Sequence, residues 1–69
     1  MTQFKLTSEY IQLNNLLKAL SLVGSGGEAK MHILEGLVRV NNLVEIQVRK
    51  KLRDGDQVEF NGEIIKVVK

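Results

Sequence analysis

Ser25-Gly26-Gly27-Glu28-Ala29-Lys30-Met31-His32-Ile33-Leu34-Glu35-Gly36-Leu37-Val38-Arg39-Val40-Asn41 contains, in order, a glycine-rich loop, a helix, a glycine stop, a short strand and a turn. Ser25 is placed to cap the helix, with Glu28 three residues on as a capping box requires. Gly36 stands where a left-handed residue ends a helix. Val38 and Val40 alternate with Arg39, so the strand buries two valines and turns the arginine to water. These features predict a helix-turn-strand corner. Lys30 and Arg39 flank that corner, which packing alone does not explain.

Outward from the corner the chain reads as α+β: two short helices packed on a small, mostly antiparallel sheet. Upstream, Phe4-Lys5-Leu6 alternates as a short strand, and Tyr10-Ile11 continues extended after a turn at Thr7-Ser8-Glu9. Leu13, Leu16, Leu17 and Leu20 recur at helical spacing and predict a helix over about 13–20, with Lys18 on its wet side. The second helix is expected over about 27–34, with Ala29 and Ile33 on its apolar face. Downstream, strands are expected at 38–40, 43–48, 57–60 and 64–68. Val44, Ile46 and Val48 alternate with Glu45, Gln47 and Arg49, predicting one buried and one wet face. Ile64-Ile65 and Val67-Val68 are apolar on both faces, as in a strand covered on two sides. Asn61-Gly62 is a two-residue hairpin signal, and Asp54-Gly55-Asp56 marks a further turn.

The corner resembles the RNA-binding domain named after the small-subunit ribosomal protein S-four, also called the alpha-L motif. Ser25, Glu28, Ala29, Lys30, Gly36, Val38, Val40 and Asn41 match its pattern in place, and the match continues through Asp54-Gly55-Asp56 and Val58. The motif core spans about 13–60 of a single expected domain, 1–69. Two departures stand out. Gly26 replaces the arginine usual after the serine, and Asn41-Asn42 replaces the common Asn-Gly turn. The Ser-Gly-Gly-Glu-Ala-Lys version resembles the small stand-alone bacterial members. The resemblance implies that the helix pair and its loop lie on structured RNA, ribosomal RNA or a ribosome precursor, through phosphate and shape contacts. Family members are often fused to pseudouridine synthases, methyltransferases or a tRNA synthetase; these residues are expected to stand without such a fusion and to supply binding without chemistry.

Charge points the same way through its distribution. The net charge is only +2, yet Arg49-Lys50-Lys51-Leu52-Arg53 concentrates four of the ten basic residues in five positions. Taken alone, that run also fits a solvated basic turn. Backbone N–H groups following Ser25-Gly26-Gly27 form an anion site that absent side chains leave open. Lys30 adds a formal charge in the first helical turn, Arg39 projects from the adjacent strand, and Asn41 offers an amide. Lys18, Ser25, Gly26, Gly27, Lys30, Arg39, Asn41, Arg49, Lys50, Lys51 and Arg53 are therefore the candidate RNA-binding residues.

Other classes of function find little support. His32 is the only histidine and there is no cysteine, so nucleophilic triads, disulfides and thiolate metal sites have no material. Asp54 and Asp56 sit on a turn, where aspartate serves backbone hydrogen bonding. Gly24-x-Gly26-Gly27 lacks the strand and βαβ context of a dinucleotide fingerprint. No catalytic residue, cofactor, metal or small-molecule substrate is expected. No apolar run approaches the roughly 20 residues of a membrane span, and no signal-peptide pattern is visible, so a cytoplasmic monomer is expected. Tyr10 is the one candidate stacking platform, too few for a reader of continuous single strands. An adaptor docking an acidic protein partner through the sheet edge or basic turn is the alternative. A helix-turn-helix DNA reader ranks behind both, because strands follow the helix pair.

Overall fold

Period-3.6 leucines and period-2 valines bury against one another, and that contact builds the molecule. The computed structural model describes residues 2–69; the domain expected over 1–69 also includes Met1, which lies outside them. The order is β1 (Thr2–Lys5), β2 (Ile11–Gln12), α1 (Leu13–Ala19), α2 (Gly26–Leu34), β3 (Val38–Val40), β4 (Leu43–Val44), β5 (Lys51–Leu52), β6 (Gln57–Phe60) and β7 (Glu63–Val68). Five strands form one sheet in the order β1-β7-β6-β3-β4, and β2 pairs with β5 in a separate ribbon. All these pairings are antiparallel except β1 with β7, which is parallel. Two helices on a mostly antiparallel mixed sheet is the expected α+β class.

Leu13, Leu16 and Leu17 of α1 and Ala29 and Ile33 of α2 are fully buried. They share one cluster with Val38, Val40, Val58, Phe60, Ile65 and Val67 from one face of the sheet. Burying each large aliphatic side chain contributes about 1.5–3 kcal/mol, so this interface carries most of the stability of a short chain. In β7, Ile65 and Val67 point into it while Ile64 and Val68 are half-buried on the other face.

The glycine corner forms as its residues require. Ser25 Oγ accepts the Glu28 N–H at 3.2 Å. Glu28 reaches back to the Gly24 N–H, at 2.8 Å, one residue before the position a capping box uses. At the other end Gly36 adopts φ +78°. Its N–H donates to the Ile33 carbonyl at 3.0 Å and that of Leu37 to His32 at 3.2 Å, the paired bonds of a Schellman stop. Asn41 and Asn42 both take positive φ, 52° and 71°. Asparagine tolerates that region better than other side chains, so Asn41-Asn42 makes the tight hairpin turn that Asn-Gly would.

The strand expected over 43–48 ends at Val44. Val44 and Ile46 are 54% and 60% exposed while Val48 is half-buried against the core, so only the last member of the alternation meets the interior. β4 is an edge of the sheet, and Leu43 and Val44 are both exposed on it. The chain then turns, with Lys50 N–H bonded to the Gln47 carbonyl at 3.1 Å, and runs to the start of α1. There the carbonyls of Lys50 and Val48 accept the N–H groups of Leu13 and Asn14, at 2.8 and 3.1 Å. Gln12, the residue capping α1, supplies no side-chain bond of its own. Segment 45–50 is thus a backbone cap on α1, which satisfies donors that helix ends otherwise leave open.

Candidate nucleic-acid interface

Placing 45–50 against α1 carries Arg49 to the N-terminus of α2. Asn14, Gly26, Gly27, Lys30, Val48 and Arg49 line one cleft. Its floor is the first turn of a nine-residue helix, where the backbone presents N–H groups and a partial positive charge. Side chains do not obstruct it. A Cβ at Gly26 would meet nothing within 4 Å, and one at Gly27 only Ser25 Oγ at 3.9 Å. The Glu28 carboxylate is turned back onto Gly24. Lys30 and Arg49, both exposed, add two formal charges to the same cleft.

Leu52 anchors the rest of the basic run. It is fully buried and pairs with Ile11 across the β2–β5 ribbon, so Lys51 and Arg53 on either side turn outward. Their charged ends lie over the Tyr10 ring, at 4.9 and 5.6 Å from its centroid. Lys50 is half-buried, and its carbonyl belongs to the α1 cap. The run is therefore divided: Arg49 joins Lys30, while Lys51 and Arg53 join Tyr10.

Arg39 goes elsewhere. Val38 and Val40 are buried, so Arg39 between them projects from the opposite face of the sheet, with Glu59 and Val44 as cross-strand neighbours. The structure joins Lys30 to Arg49, not to Arg39. Asn41 is exposed but its amide is engaged within the protein: its Nδ2 donates to Asp56 at 3.1 Å and its Oδ1 accepts the Gln57 N–H at 3.0 Å. That amide ties the β3–β4 turn to the Asp54-Gly55-Asp56 turn. Ser25 is the helix cap, and Lys18 is exposed in the last turn of α1.

Among the described residues, the ion pairs within 4.0 Å are His32–Glu35 and Lys69–Glu9. Lys18, Lys30, Arg39, Arg49, Lys50, Lys51 and Arg53 thus have no carboxylate at that distance. Unneutralised cations beside an open helix N-terminus suit a polyanion. Asn14, which lines the cleft, was not legible as a site residue, because its position depends on the non-local cap from 45–50. His32 packs against Phe60, with ring centroids 5.3 Å apart. Among the described residues no cluster of three metal-ligating side chains occurs, and no helix is long and apolar enough to cross a membrane.

Comparison with known proteins bears on the family and the fold. A family model described as the S4 domain matches residues 4–68. YbcJ of Escherichia coli (strain K12), provisionally named an RNA-binding protein, is 39% identical over 59 residues, covering 86% of this chain and 84% of that one. YbcJ of Shigella flexneri, named as uncharacterized, matches to the same extent. The solution structure of YbcJ from E. coli, described as revealing an alpha-L motif involved in RNA-binding, superimposes with a TM-score of 0.75 at 37% identity. That match covers 100% of this chain and 89% of the other.

Proposed function

The chain belongs to the S4 domain family, and from that membership we propose that it is a non-catalytic protein that binds structured RNA, with ribosomal RNA or a ribosome precursor as the target. The observation that carries this reading is the cleft in which Gly26, Gly27, Lys30 and Arg49 meet. A phosphate seated there receives backbone N–H donors and two formal charges together, a geometry suited to helical RNA read by backbone and shape. Lys18, Lys50, Lys51 and Arg53 extend the basic surface around α1. Arg39 and Asn41 are left out, the first because of its face and the second because its amide is engaged internally. In this reading the protein acts in the cytoplasm as a monomer.

Binding of a ribosomal RNA fragment, measured by filter retention as salt is raised, tests the reading. Affinity should fall steeply, with a log–log slope of roughly −3.5 to −4.5 for about five phosphate contacts. A flat salt response, or cellular complexes that survive RNase, would favour an acidic protein partner instead.

A further inference from the structure

Tyr10 is half-buried and carries two cations on its ring, Lys51 Nζ at 4.9 Å and the Arg53 guanidinium at 5.6 Å. Neither has a carboxylate within 4.0 Å among the described residues. Two like charges gathered on one ring repel each other, and an anion between them relieves that repulsion. Beside the ring is a shallow open groove lined by Ser8, Glu9, Tyr10, Ile11, Gln12 and Asn15. The ribbon register sets Gln12 opposite Lys51, so the groove and the cations adjoin. Ser8 Oγ donates to the Tyr10 carbonyl at 3.0 Å, fixing the approach to the ribbon. Glu9, the one acid in the lining, pairs with Lys69 at 3.5 Å. The amides of Gln12 and Asn15 each offer a donor and an acceptor, the combination that matches a base edge.

We propose that this open groove takes a single unpaired nucleotide of a bound RNA, its base beside Tyr10 and on the two amides, its phosphate drawing Lys51 and Arg53 off the ring. The proposal rests on the RNA-binding reading and extends it from phosphate contacts to a nucleotide subsite. One aromatic platform accommodates one base, so the fitting ligand is a duplex bearing a bulged or terminal nucleotide, not a continuous single strand.

Two hairpin RNAs, identical except for a one-nucleotide bulge, and AMP as a free nucleotide are the probes. The chain has one tyrosine and no tryptophan, so the Tyr10 ring protons can be followed by NMR without overlap from a second tyrosine. The bulged hairpin should bind about tenfold tighter than the paired one, within the range of one base–aromatic stack. It alone should shift the Tyr10 ring protons upfield. Tyr10→Leu should abolish the preference and Tyr10→Phe should keep it. Asn15→Ala, at an exposed position, should reduce it even if Tyr10→Leu fails to fold. Lys30→Ala with Arg49→Ala should weaken both RNAs alike and leave the ratio unchanged. Equal binding of both hairpins with an unmoved Tyr10 ring would overturn the subsite while RNA binding itself stands. A shift with AMP equal to that with the bulged hairpin would reassign the groove to free nucleotides. If neither hairpin binds, the RNA reading fails and the subsite with it.

Discussion

Replacing Lys30 and Arg49 together by alanine removes both side-chain charges from the cleft over α2. Each phosphate contact contributes about 0.9 to the log–log salt slope for duplex nucleic acid and about 0.7 for a single strand, so the double variant should lose roughly 1.4–1.8 units. Over a fourfold rise in salt, the affinities of wild type and variant should therefore converge by about seven- to twelvefold. Stability should hardly change, since both side chains are exposed and neither has a carboxylate within 4.0 Å among the described residues. Surface changes of this kind stay within about 0.5 kcal/mol, which corresponds to no more than about 4 °C in Tm for a chain of this size. Arg39→Ala is the internal control, because it removes one positive charge, half of what the double variant loses, from the face of the sheet away from the helices. Fluorescence anisotropy with a labelled ribosomal RNA hairpin, repeated across a salt series, gives all three slopes. Parallel lines for wild type and the double variant, or an equal loss from Arg39→Ala, would refute the assignment of the cleft.

Gly27→Val should weaken RNA binding by crowding the helix N-terminus. It should leave a folded protein, because Gly27 is helical and its Cβ would meet only Ser25 Oγ at 3.9 Å; full affinity in a folded variant would show that no phosphate approaches this backbone. Asn41→Ala should lower stability by about 1–3 kcal/mol as two hydrogen bonds are lost, while RNA affinity of the folded fraction stays at the wild-type value in the same anisotropy assay. Leu52→Ala, at a fully buried site, should cost about 2–5 kcal/mol in urea denaturation. A smaller cost would mean that the β2–β5 ribbon is not held by this side chain.

The corner from Ser25 to Asn41 was legible because every signal in it is local. A cap, a glycine stop and a two-residue alternation each act within a few positions, and the structure forms all three. Val44, Ile46 and Val48 show the limit of such reasoning. Alternation states which side chains share a face only while the strand continues; here it ends at Val44, Val44 and Ile46 stay exposed, and Val48, past the turn, reaches the core by another route. Arg39 shows the same limit in the site. Its exposure was readable from Val38 and Val40, but its separation from Lys30 depends on which face of the sheet receives the helices. The parallel β1–β7 pairing and the β2–β5 ribbon join distant segments, two residues long in the ribbon, and carry no periodicity of their own. Asn41 was ambiguous for a different reason, because an amide serves a turn and a ligand equally well. Its bonds to Asp56 and Gln57 favour the turn.

The most direct test of RNA binding through the α2 cleft is cross-linking in cells with tagged wild type and the Lys30→Ala, Arg49→Ala double variant, followed by sequencing of the recovered RNA. Wild type should recover structured RNA, with ribosomal sequences enriched and cross-linked sites beside helical segments. The double variant should recover far less from the same amount of soluble protein. Equal recovery by the two proteins would contradict the cleft, and partners retained after RNase in place of RNA would contradict RNA binding itself.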